Sequence, residues 1–578
     1  MSRGDLQSTQ DASAPTTRKP IRRWEAAALA GVLAGLLLFL VVRAWQVGVT
    51  VDEPSHLLSA YRYWRGEDNL KPRDMPPMIK LVGGWVPAIL GLPVPYDRKD
   101  LMETHHHEWI IACEMMDRLR DRTQSVFFYS RLPLLIFPLL TVLLIWHWAR
   151  QVFTPAAGLL AALAFAMDPT AFGHGALFKN DLASTFGYLL FWYRAWVFWR
   201  EPRLRNAAFL GAGLAVAMLS KLSMVVLMPV APLVIAARYL TLKRRSYRMM
   251  TAAVAVALVI PYALSIAACQ FETRRATGIE LDTIAKEHRI PRVVLLGANM
   301  FRLLPYPAPL WDGALSLVDS NSDGMTTYLF GQPVSGGHPL YFAIAIAVKA
   351  PVPFLVLVAC GLVLEAVRLI RGRFDPLSLF WIVPPFLYIG LASLSSLQLG
   401  VRLVLPALPF GLMIAGRAVA ALARGRYVWI LAVLFTVAAA RIAQIYPHPI
   451  SFFNLFVGDP MHGARILSDS NVDWGQDLRE LAELVRRTGI RKLRLSYFGN
   501  DSVWAYFRED QLELVAPPWG DDFAKGTVYK PTRGFYAISS SLLPGHMFEP
   551  RYREYYKEFW QRKPIATAGY SIYLYWVE

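Results

Sequence analysis

The chain has 578 residues, too many for one compact domain, and 55% of them are apolar while only 18% are charged, against about 25% charged in soluble proteins. The formal charge of +17 does not indicate a nucleic-acid partner. The basic residues form short clusters between apolar runs ("RKPIRR" at 18–23, "WREPRLR" at 199–205, "LKRRSYR" at 242–248, "RLIRGR" at 368–373, "RGR" at 424–426) and build no basic face with interleaved aromatics. Such clusters on alternate loops are the positive-inside pattern of a membrane protein.

Residues 1–24 read as a disordered, basic cytoplasmic N-terminus, polar at first and rich in Ser, Thr, Gln and Ala. The apolar run at 26–42 follows this long polar lead and ends in no convincing small-x-small cleavage site, so it reads as a retained first helix. A spanning helix needs about 20 mostly apolar residues. By that measure spans are expected at 25–44, 127–148, 155–170, 181–198, 206–220, 222–239, 250–269, 339–363, 377–394, 403–421 and 427–445. The expected fold is a polytopic α-helical membrane protein with about 11 spans over 25–445 and a C-terminal soluble α/β domain over 446–578.

With the N-terminus inside, the inner connections carry nearly all the compact Lys/Arg clusters. The segments 45–126, 270–338 and 446–578 then fall outside. In the tail, "DWGQDLRELAELVRRTG" places Leu478, Leu481, Leu484 and Val485 on one helical face, with Asp473 as N-cap and Gly489 as stop. "KLRLSYFG", "GFYAISSSLL" and "GYSIYLYWV" read as strands. Cys113 and Cys269 fall where a disulfide between them is permitted, and Cys360 lies within an apolar run. The histidines of "THHHEW" at 104–109 are adjacent in sequence and cannot all face one ion.

Charged groups in or beside spans are costly and therefore functional candidates. They gather at the outer face: Asp52 and Glu53 after the first span; Asp168, His174, Lys179 and Asp181 between the third and fourth; Lys221 in a tight turn; Lys349 within the eighth; Arg402 opening the tenth. Carboxylates beside cations suit the transfer of a sugar from a lipid phosphate. One group removes the acceptor's proton, and the others stabilise the departing phosphate. Each residue also has a plainer role available, as a helix end, a packed loop side chain or a snorkelling cation.

Taken together, "VDEPSHLLSAYRYW", "MPPMIKLVGGWVPAI", "DPTAFGHGALFKNDLASTFGYLLFWY", "LGVRLVLPALPF" and "SFFNLFVGDPMHGARILSDSNVDWGQDLRELAEL", in this order, resemble segments of the phospholipid-carrier-dependent glycosyltransferases of the GT-C fold. That superfamily includes protein O-mannosyltransferases and the aminoarabinose transferase acting on lipid A. The resemblance implies a polyprenyl- or dolichyl-phosphate sugar donor, used with inversion at C1, and a protein, lipid or polysaccharide acceptor. It implies a multi-pass protein of the bacterial inner membrane, in contact with membrane lipids. By position, Asp52 becomes the catalytic base and Glu53 a support for the acceptor or a divalent cation, while Asp181 and His174 shape the site. Lys80, Lys179, Lys349 and Arg402 become donor-phosphate candidates, and Asp469, Asn471 and Asp473 acceptor or accessory contacts. Two departures stand out: Met75 where many relatives carry His, and Ala176 where some carry Arg. The alternative is a secondary transporter or lipid flippase, for which charges near mid-bilayer and repeated halves are expected.

Overall fold

The computed structural model describes residues 20–67, 75–102, 108–242, 246–275, 304–519 and 526–578. The histidine run at 105–107 and residues 1–19 lie outside the described residues. Each expected span falls on a helix. Among the described residues eight helices are long and apolar enough to cross a membrane, beginning with α1 (Arg23–Gln46).

The difference from eleven has local causes. The expected span 155–170 is a broken pair, α3 (Pro155–Met167) and α4 (Pro169–Gly175), bent by 61°. Asp168 caps α4 by accepting from the Thr170 and Ala171 amides at 3.0 Å each. Helix α5 (Asp181–Arg200) is long enough, yet Asp181, Arg194 and Arg200 and its many aromatics keep it outside the eight. Helix α6 (Leu204–Ser220) has only 17 residues. The span expected at 339–363 remains among the eight through α8 (Val352–Ile370), with α7 (Tyr341–Lys349) divided from it at Pro351. Proline lacks an amide donor and pushes the preceding residue out of helical space. Ala350 is accordingly extended, with φ −76 and ψ 142.

The tail forms a five-stranded sheet of order β2-β1-β3-β5-β4, from β1 (Leu493–Ser496), β2 (Leu512–Leu514), β3 (Gly534–Ser539), β4 (Ala566–Ala568) and β5 (Ile572–Val577). Strands β2, β1 and β3 run parallel, while β5 pairs antiparallel with both β3 and β4. Helix α9 (Leu478–Thr488) buries Leu478, Leu481 and Val485 in one cluster with Leu493, Leu495, Ala537, Ile572 and Leu574. Each such side chain contributes roughly 1.5–3 kcal/mol. Gly489 ends the helix at φ +69, a left-handed geometry that suits glycine.

One expectation is corrected. Asp473 is not the N-cap of α9: it lies four residues before the cap position, Asp477, and its side chain accepts instead from the Gly475 and Ser541 amides, closing a turn against the sheet domain. The disulfide that the sequence permits between Cys113 and Cys269 is not formed.

The sheet domain is stitched to the helical part through backbone. Gly48 N donates to Gln476 O at 3.0 Å and Val51 N to Trp474 O at 2.9 Å. A Cβ on Gly48 would lie only 2.5 Å from Gln476 O, so this approach requires glycine.

Candidate functional site

The site begins where α1 gives way to α2 (Glu53–Arg65). Asp52 precedes the helix in a helical conformation, φ −83 and ψ −21, and its side chain makes no capping bond. The carboxylate is left to face the loop between α4 and α5. Lys179 Nζ donates to Asp52 Oδ2 at 2.6 Å, and Arg402 Nη2 reaches the same oxygen at 3.5 Å. His56 Nε2, one turn along α2, lies 3.2 Å from Lys179 Nζ. Asp181, at the start of α5, faces Arg402 Nη1 at 3.8 Å and Lys221 Nζ at 3.9 Å. Among the described residues neither Asp181 oxygen accepts a hydrogen bond, although the residue is 1% exposed.

The sheet domain closes one wall. Trp474, 1% exposed, lies under both cations, with its ring centroid 4.1 Å from the Arg402 guanidinium carbon and 5.2 Å from Lys179 Nζ. The His174 ring packs against it at 5.5 Å. Ser470 Oγ accepts from Arg402 Nε at 3.0 Å. Gly400 has φ +141, and a Cβ there would collide with Ser470, so glycine delivers Arg402 to this position. The cluster is largely buried: the Asp52 side chain is 20% exposed and that of Arg402 8%.

Burial opposes charge on Asp52, yet Lys179 and Arg402 outweigh it and hold the carboxyl well below the usual carboxylate range. Burial, with Lys179 beside it, pushes His56 well below the ordinary imidazole value and keeps it neutral. Asp469 is pushed up to about 6 by burial, against the opposing pull of Arg402.

The predicted residues divide into two groups. Asp52, Lys179, Arg402, Asp181 and His174 converge, with Asp469 electrostatically coupled to Arg402 and Asp52. The others are engaged elsewhere. Glu53 is fully buried: it accepts from Arg131 Nε and Nη2 at 2.8 and 2.7 Å, from Thr50 N and Oγ1 at 3.0 and 3.1 Å, and from Phe178 N at 2.7 Å. That last bond fixes the residue before Lys179. Lys349 donates to Ile450 O at 2.8 Å and Asn471 O at 2.5 Å. Asn471 bonds Val401 N, Tyr341 Oη and Ser468 O, and Asp473 closes its turn. Lys80 lines a separate shallow cleft with Tyr63, Met75, Gln270 and Glu272.

Sequence reasoning missed His56, Arg131 and Trp474 as members of this arrangement. His56 lies one helical turn beyond Asp52, a spacing that offered a signal. Arg131, a charge inside the span expected at 127–148, offered one as well, whereas Trp474 carried none, because its role depends on long-range packing.

Among the described residues, one group has metal-ligand proximity: His448, Asp477 and Glu480. His448 Nδ1 is 3.5 Å from Asp477 and Nε2 is 3.6 Å from Glu480. Burial alone would lower His448, but the two carboxylates, Asp477 first and then Glu480, raise it above the ordinary value.

The family described as dolichyl-phosphate-mannose-protein mannosyltransferase matches residues 107–264. The chain is similar to lipid-phosphate-dependent glycosyltransferases. The matched segment contains Arg131, His174, Lys179, Asp181 and Lys221, whereas Asp52 and Arg402 lie outside it. Among solved structures, ArnT from Cupriavidus metallidurans bound to undecaprenyl phosphate is 12% identical with a TM-score of 0.45, covering 95% of this chain and 98% of that one. The Archaeoglobus fulgidus oligosaccharyltransferase in its apo form is 12% identical with a TM-score of 0.41, covering 90% and 70%. No curated protein sequence matches the chain.

Proposed function

We propose that the protein is an integral-membrane glycosyltransferase that moves a sugar from a polyprenyl-phosphate carrier to an acceptor on the extracytoplasmic side, with inversion at C1. One observation carries this reading: a partly exposed carboxylate, Asp52, shares a single oxygen with two cations inside a largely buried cluster. The match to the mannosyltransferase family over residues 107–264 supports it.

In this mechanism Asp52 takes the proton of the acceptor's attacking group as a new bond forms at C1. The C1–O bond to the phosphate breaks, and its electron pair leaves on the phosphate oxygen. Lys179 and Arg402 stabilise that oxygen, and preorganised charge in a dry site is usually the largest catalytic contribution. Asp181 balances Arg402 and Lys221 from the far side of the chamber. His174 and Trp474 supply a rigid apolar wall. Glu53 acts by position: it pins Phe178 N and so places Lys179 over Asp52.

The test supplies purified protein with labelled polyprenyl-phosphate sugars and membrane extract, and compares wild type with Asp52→Asn. Loss of transfer is expected, and equal transfer by both proteins removes Asp52 as the base. The labelled product names the acceptor and sugar.

A further inference from the structure

A proton-accepting carboxylate held by two cations is poorly suited to accept a proton. Lys179 and Arg402 converge on one atom, Asp52 Oδ2, much as two cations converge on one phosphate oxygen. Both are held by groups other than Asp52. Trp474 lies beneath the pair, Ser470 Oγ accepts from Arg402 Nε, His56 flanks Lys179, and Asp181 faces Arg402 from the other side. The cations therefore keep their places when Asp52 is no longer their partner. Asp52 is also the more exposed member of each pair, with 20% of its side chain accessible against 4% for Lys179 and 8% for Arg402. An arriving anion meets this end of the clamp first.

We infer that Asp52 is an internal stand-in for the donor phosphate: it competes with the phosphate for the Lys179–Arg402 clamp, and a phosphate that wins the clamp releases Asp52 to accept the acceptor's proton. The inference rests on the donor reading above. It orders the reaction, because the base is freed only after the donor has bound, so an acceptor arriving first meets a carboxylate already paired. Proton acceptance then leaves Asp52 neutral beside the bound phosphate. When the lipid phosphate departs, Asp52 gives up that proton and closes on the cations again.

The test is equilibrium binding of undecaprenyl monophosphate to the full-length protein in detergent. Asp52→Asn removes the competitor, so binding tightens on the order of tenfold while transfer is lost. Lys179→Met weakens binding. In the double variant the gain from Asp52→Asn shrinks, because the clamp it competed for has lost one arm. Unchanged or weaker binding by Asp52→Asn, at an unchanged melting midpoint, overturns the inference. If Asp52→Asn melts early, Asp52→Ser is measured in its place with the same expectation. The two readings fail separately. A wild type that binds no undecaprenyl phosphate overturns the donor reading and this inference with it. Tighter binding with normal transfer overturns only the assignment of the base.

Discussion

Asp52 and Glu53 are adjacent in sequence and belong to opposite kinds of environment. Glu53 is saturated: its two oxygens accept five hydrogen bonds, two of them from the buried Arg131. Asp52 has one short contact, from Lys179 Nζ at 2.6 Å, and the remaining contacts of its cluster are longer. Arg402 stands at 3.5 Å, and Asp181 faces its cations at 3.8 and 3.9 Å with no hydrogen bond. Buried polar groups are normally satisfied, and an exception calls for an explanation. The Glu53 node is built to hold, whereas the cluster around Asp52 keeps charged groups near one another without fully hydrogen-bonding them.

The largest expected effect separates the two carboxylates by activity. Asp52→Asn is expected to lower transfer by about 10²–10⁴-fold, the usual worth of a general base, with a melting midpoint close to wild type. A large loss of stability would move Asp52 to the holding side of the comparison. Glu53→Gln is expected to do the reverse. Breaking a buried ion pair costs about 3–5 kcal/mol, so thermal unfolding in detergent should show a strongly lowered midpoint. The surviving folded protein should bind donor poorly, because Phe178 N loses its anchor and Lys179 its placement. A stable Glu53→Gln protein with normal donor binding would dissolve the distinction.

Lys349 tests the boundary between the two regions. Its ammonium serves the Ile450 and Asn471 carbonyls, which places it with the holding residues. Lys349→Met leaves both acceptors short of a partner, at about 1–3 kcal/mol each. The expected result is a lowered melting midpoint with donor KM within about twofold of wild type. A tenfold rise in donor KM without loss of stability would return Lys349 to the phosphate site.

The helical architecture was legible because apolar runs and basic clusters are local signals, and every expected span falls on a helix. The breaks were less visible. Pro351 divides what read as one span over 339–363, and the 61° bend at Asp168 looked like a loop-facing acid. In the sheet domain, apolar periodicity placed α9 and Gly489 its end, while Asp473 resembled a cap because Asp favours caps and turns alike. At the site, residue type revealed the charges and could not sort them. Asp52 and Glu53 read as a pair, and only Arg131, 78 positions away in sequence, separates their roles. Lys349 and Arg402 looked equivalent from span position, yet one meets carbonyls and the other carboxylates and an indole.

The smallest expected effect concerns Asp501, which lies where the sheet domain meets the first connecting loop. Its neighbours Asn500 and Ser502 bond Val51 O at 2.8 Å and Asp117 Oδ1 at 2.6 Å, and Asp501 accepts from Tyr506 Oη at 2.9 Å. Burial pushes its carboxyl up to about 7, against opposing hydrogen bonds from Tyr506 and the Ser502 amide, and Glu53 adds to the rise. An unfolded aspartate titrates near 4 (about 3.9). Between about pH 4 and pH 7 the folded protein therefore holds a proton that the unfolded chain has released. The contribution of Asp501 to stability therefore falls as pH rises through that window and levels off above it, by at most about 1.4 kcal/mol per pH unit. Asparagine imitates the neutral acid and does not titrate, so Asp501→Asn should flatten this part of the profile. Asp473, pushed up to about 8 by burial, contributes a slope of its own. The quantity to measure is thus the difference between wild type and Asp501→Asn, by unfolding from pH 4.5 to 7.5. Parallel profiles would show that Asp501 is charged in the folded protein, and would make this junction a second loosely satisfied carboxylate rather than part of the holding network.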